Sequence, residues 1–168
     1  MTNERDEAFQ AFVQQKWRPL LLTAQLLTAD RGRGEDLLQE ALVKLWFAWP
    51  RIADQAPEAY VRRVLARSAA RAAKRRWRSE RTTDQLPHLS DTFDGDKQIS
   101  DRDHLVRALA QLPKRQRVAV VLRYAEDADD DRIAEVLNCS RGNARVLAHR
   151  GLATLRGLLQ ETTYQPVL

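Results

Sequence analysis

The sequence predicts an all-α protein made of two small helical domains, on three observations. Ala, Leu, Arg, Glu and Gln dominate the 168 residues, while Gly and Pro number six each. Val and Ile alternate over no long run, so the period-2 signature of strands is missing. Apolar residues recur instead at helical spacing in several separate stretches. Hydrophobic residues make up 43% of the chain, enough for real cores.

The elements follow in order. Phe9, Phe12 and Val13 mark one face of a first helix. Pro19 is expected to interrupt it, with "PLLLTAQLLT" restarting behind the proline. Asp30 is a plausible N-cap for the next helix, whose first turn Gly32 and Gly34 should weaken. "WPRIADQAPEAY" breaks the pattern with two prolines, and a long helix runs from about Pro57 to Arg78. The second half restarts near Asp101 with "HLVRALAQL", ended by Pro113. "KRQRVAVVLRYAE" forms another helix. "DADDD" is a turn, with Asp129 or Asp130 as the next N-cap. "RIAEVL" is a short helix and "NCS" a three-residue turn. "RGNARVLAHRGLATLRGLL" is the last helix, N-capped by Ser140. A short helix, a tight turn and a longer basic helix make the helix-turn-helix pattern.

Charge divides the same chain. Residues 1–60 carry net −2, residues 61–81 net +8, residues 82–104 net −4 and residues 105–168 net +3. A basic block followed by an acidic one suggests two folded parts, each with a face for a polyanion, joined by a flexible acidic linker. The expected division is a first domain over 1–81, the linker over 82–104, a second domain over 105–160 and a tail over 161–168.

Several function classes recede. One cysteine, Cys139, permits neither an internal disulfide framework nor a Cys-rich metal site, and it reads as a small buried residue in the turn. His88, His104 and His149 stand apart from any Cys or carboxylate at ligand spacing. There is no glycine-rich phosphate loop. No enzyme, metal or cofactor is expected. The N-terminus, MTNERDEAF, lacks a signal-peptide pattern, and no apolar run approaches the ~20 residues of a membrane span. A cytoplasmic protein with no membrane span is expected.

Three stretches carry function. On a helical wheel, "DLLQEALVKLWFAW" puts Leu38, Ala41, Leu42, Leu45 and Trp49 on a core face. Asp36, Gln39, Glu40, Val43 and Phe47 fall on the opposite side. That strip begins acidic and ends apolar, as a protein contact surface would, unless another helix of the same domain covers it. The basic helix places Tyr60, Val61, Val64, Leu65 and Ser68 toward a core. Arg63, Arg67, Arg71, Lys74 and Arg78 fall within an arc of roughly 80°, with Arg75 beside them. Ala66, Ala69, Ala70 and Ala73 between them would let a phosphate backbone approach, and Trp77 could stack on an unpaired base. The other readings are a merely solvated basic face and a helix facing an acidic membrane, which would want bulky apolar residues rather than alanines opposite the charges. In the last helix Arg141, Arg145 and His149 share a stripe flanked by Asn143 and Arg150. Arg suits guanine, Asn suits adenine, and Ser140 could present helix N-terminal amides to a phosphate. A plain helical hairpin within a bundle has the same spacing. The acidic turn beside it hinders DNA unless it faces away.

The stretches "LLTADRGRGEDLLQEALVKLWFAWPRI", "PEAYVRRVL" and "RRWRSERTTDQLP", then "LVRALAQLPKRQRVAVVLRYAEDADDDRIAEVLNCSRGNARVLAHRGLATLR", resemble the extracytoplasmic-function sigma factors of bacterial RNA polymerase. The resemblance runs from about residue 8 to 159 and is strongest to the actinobacterial branch related to sigma-E. It implies two domains, σ2 and σ4, and a transcription regulator that binds core RNA polymerase and promoter DNA. Asp36, Gln39, Glu40, Val43 and Phe47 would meet the clamp helices of the β′ subunit. Arg63, Arg67, Arg71, Lys74, Arg75, Trp77 and Arg78 would hold the −10 element, with a flipped base received near residues 51–57. Ser140, Arg141, Asn143, Arg145, His149 and Arg150 would read the −35 element while σ4 rests on the β flap. The linker would thread toward the RNA exit path. An anti-sigma factor would be a further partner, as in many relatives.

Departures from the family pattern are specific. "ARSAARAAK" stands where the family usually has a polar, often Asn-containing stretch. "NARVLAHRG" replaces the usual "TVKSRLHRA", so Val146, Leu147 and Ala148 place apolar bulk on different faces, and Gly151 should cost about 1 kcal/mol of helix stability relative to Ala. Weaker or altered −35 reading is expected. Two rival readings remain on sequence alone: a stand-alone helix-turn-helix regulator, and a degenerate sigma-like chain that occupies polymerase without initiating.

Overall fold

The computed structural model describes residues 2–79 and 97–163. Seven α-helices and no strand occur among the described residues. They fall into two compact units, Met1–Ser68 and Ala69–Leu168, so the division lies inside one helix. Residues 82–96 of the expected linker (82–104) and the end of the tail, 164–168, lie outside the described residues.

The first unit holds α1 (Thr2–Thr28), α2 (Arg31–Ile52) and the start of α3 (Pro57–Ser79). Pro19 does not interrupt α1, contrary to expectation. A proline deprives the carbonyl four residues back of its donor and crowds it with the ring. That residue is Gln15, and both Gln15 and Pro19 are exposed, so water can take the freed carbonyl. Pro50 likewise sits inside α2, which runs on to Ile52. Here the freed carbonyl belongs to Trp46, and Arg5 Nη2 donates to it at 3.0 Å. The second proline, Pro57, opens α3, where its missing N–H is no loss.

α1 and α2 pack through two devices. At one end Phe9 meets Trp46 and Trp49 edge-on, at 5.0 and 5.3 Å between ring centroids, and Phe12 meets Trp49 at 5.5 Å. At the other end Gly34 is buried against α1. A Cβ there would stand 2.8 Å from the Gln25 Cα, so glycine is the residue that lets the backbones approach. The expectation that Gly34 merely weakens the first turn is corrected by this contact. Asp30 caps the helix as expected, its Oδ1 accepting from the Arg33 amide at 2.8 Å. Leu20, Leu38, Leu45, Val61 and Leu65 fill the core.

The second unit adds α4 (Lys97–Ala110), α5 (Lys114–Tyr124), α6 (Asp130–Leu137) and α7 (Arg141–Thr163). α4 starts four residues before Asp101, so the last part of the stretch expected as linker is helical. Leu109, Val118, Ile133 and Ala144 are buried at its core. Two arginines of α5 close the C-terminal ends of neighbouring helices. Arg117, buried, donates from Nε to the Leu109 carbonyl at 2.9 Å, and Arg115 donates to the Leu137 carbonyl at 2.9 Å. Gly151 of α7 corrects another expectation. A Cβ there would lie 2.5 Å from Val120 Cγ2 and 3.0 Å from the Gln116 carbonyl, so this glycine permits α5 and α7 to pack.

Candidate functional site

α2 carries the first candidate surface. Of the predicted core face, Leu38, Ala41, Leu45 and Trp49 are buried and Leu42 is half-buried, and Ala48 is buried as well. Asp36, Gln39 and Glu40 are exposed on the other. Val43 is 57% exposed and Phe47 76% exposed, so no helix of the unit covers the strip. A side chain like Phe gains about 1.5–3 kcal/mol on full burial, which a partner here would recover.

The basic face lies on α3, where Arg63, Arg67, Arg71, Lys74 and Arg75 are all exposed. Val61 and Leu65 are buried beneath, with Tyr60, Val64 and Ser68 half-buried. Ala66, Ala69, Ala70 and Ala73 are buried. Their small size therefore serves packing, not the approach of a phosphate backbone, and that expectation is corrected. Trp77 and Arg78 fall on α3, but their side chains lie outside the described residues.

Arg62 leaves this face and turns inward. Its Nη1 donates to Thr23 Oγ1 at 2.7 Å, and its Nη2 meets Glu58 Oε1 at 3.0 Å. Lys16 reaches Glu58 Oε2 at 2.9 Å. The Lys16 hydrogen bond first, and the Arg62 guanidinium with it, hold the Glu58 carboxyl below the ordinary glutamate range against the opposing effect of burial. Lys16, Glu58 and Arg62 rim an open surface depression of about 510 Å³, completed by Phe12, Ala56, Pro57 and Ala59. Ala56 has φ 117°, a conformation that L-residues rarely hold outside functional or tightly constrained sites. Of the stretch 51–57, only Ala56 and Pro57 line the depression.

The helix-turn-helix forms as the sequence predicts. Asp129, the first of the two candidate caps, accepts from the Arg132 amide at 2.8 Å. Asn138 ends α6 in the left-handed region at φ 51°, where asparagine is tolerated. Ser140 Oγ accepts from the Asn143 amide at 3.0 Å. Cys139, in the turn, is half-buried rather than fully buried. Ser140, Arg141, Asn143, Arg145, His149 and Arg150 are all exposed.

The acidic turn does not face away. Asp130 is buried, and its Oδ2 accepts from Arg145 Nε and Nη2, each at 3.0 Å. Arg123 pairs with its other oxygen. Asp131 and Arg141 lie 3.6 Å apart, both largely exposed, a geometry worth little. Sequence reasoning missed the Arg123–Asp130–Arg145 bridge, because Arg145 is fifteen residues from its carboxylate. Val146, which the sequence marks as displaced apolar bulk, is 41% exposed on α7.

No group of His, Cys, Asp and Glu among the described residues could hold a metal ion. None of the described helices is long and apolar enough to cross a membrane.

Two exposed helical faces and a helix-turn-helix in one chain suit a transcription factor with a partner besides DNA, and comparison with known proteins shows which class of factor it is. Residues 14–79 match Sigma-70 region 2, and residues 102–155 match Sigma-70, region 4. The chain is 36% identical over 153 residues to the RNA polymerase sigma-E factor of Streptomyces avermitilis, covering 90% of this chain and 85% of that one. It is 35% identical over 149 residues to the RNA polymerase sigma-E factor of Streptomyces coelicolor, covering 88% and 84%. Among solved structures, the Bartonella quintana sigma factor RpoE, in complex with the anti-sigma factor NepR, shares the fold. The TM-score is 0.62 and the identity 23%, covering 90% of this chain and 98% of that one. The chain belongs to the extracytoplasmic-function sigma factors of the sigma-70 family. It directs promoter recognition by bacterial RNA polymerase. A stand-alone helix-turn-helix regulator is disfavoured, since region 2 and region 4 both match, in order.

Proposed function

We propose that this sigma factor docks on the polymerase β′ clamp helices through Asp36, Gln39, Glu40, Val43 and Phe47 of α2. The observation that carries this is the exposure of Val43 and Phe47 on a helix whose opposite face is already buried. The acidic residues at one end and the apolar pair at the other suit a partner that is basic, then greasy.

Region 2, over residues 1–81, then holds the −10 element. The exposed cations of α3, Arg63, Arg67, Arg71, Lys74 and Arg75, track the phosphates of the non-template strand, with Trp77 and Arg78 beyond them. Capturing the strand offsets the unstacking and unpairing that melting requires. The depression of Phe12, Ala56, Pro57 and Ala59, with its charged rim, receives a flipped base. Region 4, over residues 105–160 and extended back by α4, rests on the β flap. It presents Ser140, Arg141, Asn143, Arg145, His149 and Arg150 to the −35 element. The linker lies along the RNA exit path. The protein is an initiation factor and not a catalyst, and works in the cytoplasm beside core polymerase. An anti-sigma protein is a further partner in this reading, supported by the fold neighbour having been solved with one bound.

The test is transcription in vitro with purified bacterial core polymerase and a library of genomic promoter fragments, with and without this protein. New discrete start sites are expected, and the DNA upstream of them gives both elements at once. Co-elution with core polymerase but no start sites would make the protein a degenerate occupant. The absence of both co-elution and start sites would overturn the docking surface on α2.

A further inference from the structure

The outward face of the α7 N-terminal half is not led by a cation. Gly142, Val146, His149 and Ala153 recur at spacings of four, three and four, which puts them in one stripe along its middle. All four residues of that stripe are exposed. Asn143 and Arg150 flank it on one side. Arg145 flanks it on the other, and one fork of its guanidinium is already committed to the buried Asp130. At the first residue of the stripe, Gly142, even an added Cβ would meet nothing within 4 Å, so the approach is open. Val146 is the one large apolar side chain exposed on α7 among the described residues, at 41%. It lies between His149 and Asn143, on a face flanked by Arg145 and Arg150.

We infer that Val146 is a specificity-determining residue of the −35 interface and reads the C5-methyl group of a thymine in the major groove. The inference rests on the reading of α7 as the −35 recognition helix. The chemistry is particular. The thymine methyl is the one apolar feature on a base edge in that groove, and apolar side chains contact it there. Asn143 on the flank is suited to the N6 and N7 of adenine, so the stripe favours A·T pairs at its centre. Arg145, held by Asp130, positions the helix. Its guanidinium is less available as a guanine fork than its exposed position suggests. This gives physical content to the replacement of the usual "TVKSRLHRA" by "NARVLAHRG".

The experiment uses holoenzyme, this chain with core polymerase, on a promoter found by transcription in vitro. Each −35 thymine is replaced in turn by deoxyuridine, which removes only the methyl group. Binding is measured by fluorescence anisotropy for the native chain and for Val146→Ala. One position is expected to lose about fourfold in affinity, the worth of one buried methyl group. The same replacement should have no effect with Val146→Ala, and Val146→Thr, which keeps a methyl, should restore part of the difference. If every deoxyuridine is neutral while scrambling the −35 element still weakens binding, the role of Val146 is overturned and the −35 reading stands. If scrambling the element changes nothing, the −35 reading itself falls, and the Val146 inference with it.

Discussion

The Arg5 guanidinium donates to the Trp46 carbonyl at 3.0 Å and lies 4.3 Å from the centroid of the Trp46 ring. The carbonyl is one that Pro50, four residues on, cannot serve. One side chain from α1 therefore repairs the break that a proline makes in α2. Arg5→Ala is expected to destabilise the first unit by about 1–3 kcal/mol, as a partly buried carbonyl loses its donor. In a Pro50→Ala background, where the amide returns, the same substitution should do less harm. A double-mutant cycle by urea unfolding measures the difference, and purely additive effects would rule the repair out.

Gly151→Ala reverses the usual order of helix propensity. In an exposed helix the change would stabilise by about 1 kcal/mol. Here the new methyl meets Val120 Cγ2 and the Gln116 carbonyl, and overpacking of this kind costs about 1–3 kcal/mol. The melting temperature should fall, and Val120→Ala should recover part of the loss. A rise in melting temperature would show that α5 and α7 can separate at no cost.

Acid should loosen the first unit through Glu58. Its carboxyl is held below the ordinary value of 4.5 by Lys16 and Arg62. A depressed folded-state value gives stability that is present in full above 4.5 and is lost as pH falls through the folded value. The melting temperature of the native chain should therefore drop more steeply between roughly pH 5 and pH 3 than that of Glu58→Gln. The pair is partly exposed, so the neutral-pH difference should stay under about 1 kcal/mol. Parallel pH profiles for the two proteins would remove Glu58 from the account.

Phe47→Arg tests the polymerase surface without touching the core. Phe47 is 76% exposed, so the melting temperature should not move. Affinity for core polymerase should fall at least about tenfold, as for a buried aromatic anchor. Asp36→Arg with Glu40→Arg should act in the same direction. Unchanged affinity in both variants would leave the strip without a role.

What the sequence made legible was local. Asp30, Asp129 and Ser140 each cap an amide three residues away, and so could be named from spacing. Val43 and Phe47 betrayed themselves because they fall opposite Leu38, Ala41 and Leu45 on one helix. What escaped depended on partners far along the chain. Pro50 is tolerated because of Arg5, Gly151 is needed because of Val120, and Asp130 is buried because Arg123 and Arg145 close over it. The alanines of α3 were misread for a related reason. A small side chain reads the same whether it makes room for a ligand or for the fold.

The bridge from Asp130 to Arg145 limits how the chain can be re-engineered. Swapping recognition helices between relatives is an obvious route to new promoter preferences. In this protein α7 is not a free-standing cassette, since its Arg145 supplies one of the two guanidiniums that neutralise a buried carboxylate of α6. A graft lacking arginine at that position would strand Asp130 with Arg123 alone. The transferable module is α6, the turn and α7 together, with Arg123 of α5 retained.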